Sequence, residues 1–74
     1  MKKFAVAIVD LFKDTISVEI IYASNIKESV MTHSMISDSD DMVCFVHDLP
    51  DDLETMKGCF TDCDMMLDVK EIKS

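Results

Sequence analysis

The pattern of apolar positions predicts two strands at the start of the chain. Residues 4–12 are apolar on both alternating sets, which favours a central strand contacted on both faces. Residues 15–23 carry their apolar side chains mainly on one face, which predicts a half-buried strand with that face turned inward. That set is Ile16, Val18, Ile20 and Tyr22. Lys13 and Asp14 then form the turn of a β-hairpin whose second strand lies nearer an edge.

The rest of the chain alternates between helical and strand patterns. Asn25 and Glu28 form a capping box that predicts a helix over residues 26–36, and the polar residues 37–41 end it. Residues 42–47 are compatible with a strand or a helix, and their helical period favours a short helix. Pro50 begins a helix to residue 62 with one apolar stripe, and residues 65–72 alternate as a closing strand. The stripe consists of Leu53, Met56, Phe60 and Cys63.

These elements give the order ββα(α)αβ in a single domain over residues 1–74. We therefore predict an α+β fold, in which two or three short helices pack on one face of a three-stranded antiparallel or mixed sheet. Met56 and Met65 are expected in the core. Met65 and Met66 must point to opposite faces of their strand, so one of the two is expected at the surface or at an interface.

Composition restricts the classes of function. Fifteen acids against seven lysines, with no arginine, give a net charge of -8, which excludes a nucleic-acid binder of the ordinary basic kind. The single glycine, Gly58, excludes a glycine-rich phosphate loop. An apolar fraction of 49% is that of a globular chain.

The length and the cysteine content bear on stability and compartment. A chain of 74 residues has a thin stability margin, so oligomerisation is expected to supplement it. The apolar run after Lys3 is cut by Asp10 and lacks a cleavage site, so it is interpreted as a strand and not as a signal peptide. Three cysteines without a secretory signal predict reduced thiols in the cytoplasm, and no stretch approaches a membrane span.

A zinc site is one candidate for chemistry. Cys44, His47, Cys59 and Cys63 follow the spacing C-x2-H-x11-C-x3-C, which is close to that of structural zinc modules. Cys63 and Cys59 also fall on or beside the apolar stripe, where cysteine ordinarily acts as a small buried hydrophobe. We therefore expect no metal and no other cofactor, with a zinc-stapled adaptor as a minor alternative.

A second candidate is an acidic stretch without a lysine. Its members are Asp38, Asp40, Asp41, Asp48, Asp51, Asp52 and Glu54. The stretch is interpreted either as a docking face for a protein with a basic patch, which includes mimicry of nucleic-acid charge, or as helix caps and a solvated surface. A calcium loop is disfavoured because the central glycine and the terminal glutamate are missing.

Catalysis finds little support in the sequence. His33 and His47 are the only histidines, and no spacing pairs either with a nucleophile. A phosphate or carboxylate substrate would lack its usual arginine anchor. The chain is therefore predicted not to be an enzyme.

The chain resembles the small acidic accessory proteins of large T-even-like tailed phages. The resemblance rests on the opening KKFAVAIVDLFKDTISVEIIYASN, a short helix that ends near a histidine, and the close DLPDDLETMKGCFTDCDMMLDVKEI. It implies a protein that redirects the machinery of the infected bacterial host, or disarms its defences, by binding one target.

Two hypotheses of function remain. The first is a non-catalytic protein that binds and inhibits a host defence protein through the acidic stretch, without binding nucleic acid or membrane. The alternative is an oligomeric sponge for a small signalling nucleotide, with lysines lining pockets between the subunits. Those lysines are Lys2, Lys3, Lys27, Lys57, Lys70 and Lys73.

Overall fold

The chain folds as an α+β domain in which four helices lie on one face of a three-stranded sheet. A computed structural model describes residues 1–73, and Ser74 of the predicted domain lies outside the described residues. The strands are β1 (Lys2–Asp10), β2 (Thr15–Ala23) and β3 (Met65–Ile72). The helices are α1 (Ile26–Thr32), α2 (Ser34–Ser37), α3 (Asp40–His47) and α4 (Leu53–Asp62). The predicted class and layer order are confirmed, with one helix more than expected.

β1 is the central strand, as predicted. The sheet order is β2-β1-β3, and both pairings are antiparallel. Phe4, Val6 and Ile8 of β1 point towards the helices and are almost fully buried. Both edges of the sheet are therefore formed by strands that pair on one side only.

The hairpin turn is longer than the sequence suggested. β1 ends at Asp10, two residues before the predicted end, and Asp10 pairs with Thr15. The Asp10 carboxylate accepts hydrogen bonds from the N–H groups of Phe12 and Lys13, at 3.0 and 3.1 Å. Asp14 adopts a positive φ of 56°, which an aspartate tolerates better than most residues. A four-residue turn therefore replaces the predicted two-residue one.

The predicted helix over residues 26–36 is divided in two at His33. Asn25 caps α1 by accepting from the N–H of Glu28 at 2.8 Å, as predicted. At His33 the backbone turns to φ -56° and ψ 137°, which ends α1. The His33 ring then accepts the N–H of Met35 at 3.1 Å and caps α2 in the manner of an N-cap side chain. A histidine is an unusual cap, which is why the capping rules did not reveal the break.

The two later helices differ in how well they were predicted. Residues 42–47 are helical, because α3 covers them and is capped by Ser39. α4 begins at Leu53, because Asp52 is its N-cap. The predicted start at Pro50 is therefore wrong, and Pro50 lies outside the helix. Cys63 is exposed at its C-terminal end, so the predicted apolar stripe ends at Phe60.

The core lies between the sheet and the helices. α4 packs on β3 and α1 on β2, and the rings of Phe45 and Phe60 lie 5.7 Å apart. Met56 and Met65 are buried and Met66 is 55% exposed, which confirms the predictions for the methionines. Among the helices of residues 1–73, none combines the length and apolar character that crossing a bilayer requires. The buried apolar residues are Phe4, Val6, Ile8, Ile21, Ala23, Val30, Ile36, Val46, Met56, Phe60, Met65, Leu67 and Val69.

Candidate functional site

The structure divides the predicted acidic stretch into two clusters. Asp38, Asp40 and Asp41 lie at the start of α3, while the other four acids follow its end: Asp48, Asp51, Asp52 and Glu54. A helix of eight residues is about 12 Å long at 1.5 Å per residue, so the two clusters are separate surfaces. The stretch therefore does not form one continuous face.

The cluster after α3 includes residues that stabilise the fold. The Asp51 carboxylate accepts the N–H of Lys27 at 3.0 Å and so connects α1 to the loop before α4. Asp52 caps α4 by accepting the N–H of Thr55 at 3.1 Å. The Thr55 hydroxyl also donates to Asp52, and this hydrogen bond lowers the pKa of the Asp52 carboxyl. These hydrogen bonds within the fold explain the presence of Asp51 and Asp52, and no binding partner is needed to explain them.

The cluster before α3 borders an open cleft, which we name the acidic cleft. It has a volume of about 650 Å³ and lies between the hairpin and the helices α2 and α3. Asp38 and Asp41 line it together with Asp10, whereas Asp40 does not. Met35, Met42 and Met65 supply apolar surface, and Lys13 is a basic residue at the same cleft. Carboxylates beside apolar surface form a site that suits a long cationic side chain, because its stem is apolar and its head is charged.

Asp10 is the residue of the cleft that the sequence reasoning missed. It is distant in sequence from the acidic stretch, and it was noted only as a break in an apolar run. Its position at the end of β1, with its side chain in a turn, brings it beside α3. An acid that closes an apolar strand before a turn is the signal that could have singled it out.

The zinc set is not assembled. Cys44 and Cys63 are exposed and Cys59 is partly buried, and all three are free thiols. Within residues 1–73, no three His, Cys, Asp or Glu side chains form a group that could hold a metal ion. The ligand-like spacing therefore does not correspond to a common site, and the expectation that Cys63 is buried is wrong.

His33 has neighbours that superficially resemble a catalytic cluster. Its Nδ1 lies 3.6 Å from a carboxylate oxygen of Glu19, and the Ser34 hydroxyl donates to that same carboxylate. Nδ1 accepts from Met35, so the ring proton lies on Nε2 and is donated to the Ser17 carbonyl at 3.3 Å. The ring of His33 is therefore fully used in holding α2 against β2. It does not accept a proton from Ser34, as a base in nucleophilic catalysis would.

The hydrogen bond from Ser34 also affects the ionisation of Glu19. The hydroxyl of Ser34 holds the pKa of the Glu19 carboxyl below its ordinary value. The Ser34 N–H group, at 3.3 Å, adds to the effect. No buried side-chain nitrogen or oxygen within residues 1–73 lacks a hydrogen-bond partner, so no such group is left to bind a ligand.

The second candidate surface is the face of the sheet away from the helices, which we name the open face. Four side chains of β2 are exposed on it: Ile16 (76%), Val18 (62%), Ile20 (53%) and Tyr22 (61%). The pairing register places Ala5, Ala7 and Val9 of β1 beside them. Met66, Asp68, Lys70 and Ile72 of β3, with Lys3 of β1, complete the face.

The open face corrects the sequence interpretation of β2. The apolar set of β2 was expected to point inward, but it points to solvent, and the covered face receives Ser17, Glu19 and Ile21 instead. The reason is the hairpin register, which places Ile21 beside Phe4 and Glu19 beside Val6. The bulky residues of β1 face the helices, so the apolar set of β2 must face the other way.

Comparison of the chain with protein-family models, with curated proteins and with solved structures found no match in any of the three. The function is therefore argued from the acidic cleft and the open face.

Proposed function

We propose that this chain is a non-catalytic protein that binds a basic patch on another protein and inhibits it. The observation that carries the proposal is the acidic cleft, where Asp10, Asp38 and Asp41 lie beside methionine side chains. A lysine or arginine of the partner fits such a site through both its stem and its charge. The resemblance to phage accessory proteins makes a bacterial host protein with a role in defence the partner that we expect.

The charge of the whole chain supports the same sign of partner. A net charge of -8 attracts a basic protein over a distance and raises the rate of encounter, more strongly at low ionic strength. The cluster after α3 contributes to this long-range attraction. Because Asp51 and Asp52 are occupied by caps, and Asp10 by the hairpin turn, we assign the direct contact to Asp38 and Asp41 of the cleft.

The test is capture of partners from a bacterial lysate with two matched variants. Asp38→Asn with Asp41→Asn removes two charges from the cleft, and Asp48→Asn with Glu54→Gln removes two charges beyond it. We expect the wild type and the second variant to capture similar amounts of the same partner, and the first variant to capture at least about tenfold less of it. Circular dichroism checks that both variants fold.

The dependence on salt and on nucleic acid sharpens this test. The captured partner is expected to elute as salt rises, because exposed charge contacts are screened. Competition by DNA would assign the nucleic-acid-mimic form of the proposal. Equal capture of the partner by both variants would contradict docking through the cleft. Elution of the partner that does not depend on the salt concentration would contradict it as well.

One observation favours the nucleotide sponge as a second candidate. Lys2, Lys3 and Lys73 line a hollow of about 590 Å³ together with Tyr22 and the acidic Glu71, at the end of the sheet that holds Ile72. An aromatic ring beside cations suits a base and its phosphates. Lys27 and Lys57 lie elsewhere, since Lys27 donates to the carbonyl of His47 and Lys57 lies 3.9 Å from Asp68.

A thermal-shift panel of cyclic nucleotides tests the sponge. A rise in Tm for one nucleotide that disappears in Lys2→Gln with Lys3→Gln would support it. The absence of any shift across the panel would reject it. The cleft variants Asp38→Asn and Asp41→Asn serve as the control and are expected to leave this response unchanged.

A further inference from the structure

We propose that the open face binds a second copy of this chain, with the two sheets packed face to face and the helices on the outside. The two-fold axis lies between the sheets and runs across the strands, midway between the row of Ala5 and the row of Ala7. Each strand of one copy then lies over the same strand of the other, in the opposite direction. The proposal is independent of the acidic cleft and its partner.

The area of apolar surface fits a dimer of this kind. Five large apolar side chains on the open face are 53–76% exposed. At roughly 150–200 Å² for a fully exposed side chain, they present on the order of 500 Å² in each copy. Two copies would together bury about 1,000 Å², which reaches the lower limit for a specific protein interface.

The charges on the open face are complementary to themselves under this symmetry. Ala7 pairs with Asp68 and Ala5 pairs with Lys70, so the two β3 charges that lie on the open face are in the two rows next to the proposed axis. Rotation about that axis places Lys70 of one copy over Asp68 of the other, and it does so twice. A two-fold axis parallel to the strands would instead place β2 over β3, and the charges would meet Val18 and Ile20.

The apolar side chains meet apolar side chains in the same arrangement. The row of Val18 lies over the row of Ile20, and the row of Ile16 lies over the row of Tyr22. Ala5 and Ala7 occupy the middle of the face, where their small side chains let the central strands approach. The charged residues of β3 therefore stay apart from the apolar residues of β2, while Lys3 of β1, in the row of Tyr22, lies over Val9 at the end of the face.

The two ends of the molecule are also complementary in charge. Lys2, Lys3 and Lys73 lie at the end of the sheet where Tyr22 is found. Asp14 and Asp64 lie at the hairpin end and outnumber Lys13 there, since the carbonyl of Asp64 accepts the N–H of Leu11. The proposed symmetry sets the basic end of each copy over the acidic end of the other, which favours association of two acidic chains.

The first experiment measures the dissociation constant of the full chain by sedimentation equilibrium over a range of concentrations. The wild type is expected to reach twice the monomer mass of 8.4 kDa. Val18→Thr with Ile20→Thr keeps the β-branched shape that suits a strand while reducing apolar character, and we expect it to raise the dissociation constant at least about tenfold. Ser37→Thr, at an exposed position of α2 on the helical side of the sheet, is the control and is expected to have no effect.

The second experiment exchanges the two charges of β3. Lys70→Asp alone, or Asp68→Lys alone, places like charges opposite each other and is expected to weaken the dimer at least about tenfold. The double exchange restores opposite charges, and we expect it to return the dissociation constant of the dimer to within about threefold of the wild-type value. Lys57→Gln controls for loss of the contact between Lys57 and Asp68 within one chain.

The two experiments together separate face-to-face packing from pairing along one sheet edge. If the dimer formed through the β2 edge, exchanging the charges on β3 would leave its dissociation constant unchanged. If it formed through the β3 edge, the threonine substitutions on β2 would leave that constant unchanged. Either result would overturn the proposal. A wild type that remains at the monomer mass up to about 500 µM would also overturn it, because an interface of this size should be populated there.

Discussion

Both faces of the sheet carry large apolar side chains, but the surroundings of these side chains differ. On the covered face, Val6 and Ile8 are fully buried beneath the helices. On the open face, Ile16 is 76% exposed and Val18 62%, although these side chains are of the same type. The helices within residues 1–73 cover one face only. The comparison teaches that apolar alternation identifies which residues share a face and does not identify which face the chain itself covers.

The largest expected effect comes from one substitution made on both faces. Ile8→Thr should lower the free energy of unfolding by about 2–4 kcal/mol, because it removes buried methyl groups and places a hydroxyl in the core. Ile20→Thr should change it by less than about 0.5 kcal/mol, because that side chain is half exposed in the monomer. Urea denaturation at low protein concentration measures both.

The concentration of protein distinguishes the two faces further. If the open face is covered only by a second copy, Ile20→Thr should become destabilising when the concentration is raised, whereas the effect of Ile8→Thr should stay nearly constant. Equal losses for the two variants in dilute solution would show that Ile20 is already buried within one chain. That result would contradict the difference between the faces.

The strands were the part of the fold that the sequence predicted best. The bounds of β2 and β3 and the central place of β1 agree with the alternation of apolar residues. Alternation has a period of two residues and needs no knowledge of distant neighbours. The helical assignment of residues 42–47 also agreed, because the apolar period extended beyond the short ambiguous segment.

The bounds of β2 were predicted correctly, but its apolar side chains were assigned to the wrong face of the sheet. The hairpin register alone sets Phe4, Val6 and Ile8 on the face opposite to Ile16 and Val18, so the two apolar sets cannot both face the core. The apolar pattern of β2 was considered without β1, so this consequence was missed. The break at His33 could not be inferred in this way, because it depends on hydrogen bonds to Met35 and to a strand carbonyl.

The candidate site was predicted in part. The acids of one cluster, Asp38 and Asp41, lie at the cleft, and their position before a helix follows from the sequence. The separation of this cluster from Asp48 depends on residues 42–47 being helical. Asp10 joins the cleft only because the hairpin returns the end of β1 to the helices. Contacts between distant segments are the information that residue spacing lacks.

A smaller effect is expected from strengthening the layer that covers the sheet. Gly58 lies within α4, and a Cβ added there meets no atom within 4 Å. Gly58→Ala should therefore raise the free energy of unfolding by about 0.5–1 kcal/mol, because alanine loses less backbone entropy in a helix. Thermal unfolding followed by circular dichroism measures the gain.

The series at this position has an internal control. Gly58→Ser should give a smaller gain than Gly58→Ala, following helix propensity. Neither variant should alter the dissociation constant of the proposed dimer, since α4 lies on the covered side. A loss of stability in Gly58→Ala would show that the helix is not regular at this residue.

The smallest expected effect concerns the contact between β2 and α2, and it depends on pH. Hydrogen bonds from Ser34 hold the pKa of Glu19 below its ordinary value of 4.5 in the folded protein. The folded state therefore binds fewer protons than the unfolded state as the pH falls through this region. The stabilising contribution of Glu19 is complete above pH 4.5 and is lost as the pH falls through the lowered pKa of the folded state.

Glu19→Gln removes this contribution and keeps the shape of the side chain. The variant should be less stable than the wild type near neutral pH, and the difference should shrink as the pH falls through the lowered pKa of Glu19. Urea midpoints measured from pH 7 to pH 3 follow this difference. Glu71→Gln, exposed near the end of β3, is the matched control for the loss of one acidic side chain. A constant difference in stability between Glu19→Gln and the wild type would mean that Glu19 stabilises its contact with Ser34 through packing and not through the charge of its carboxylate. β2 would then be held to the helices chiefly by His33.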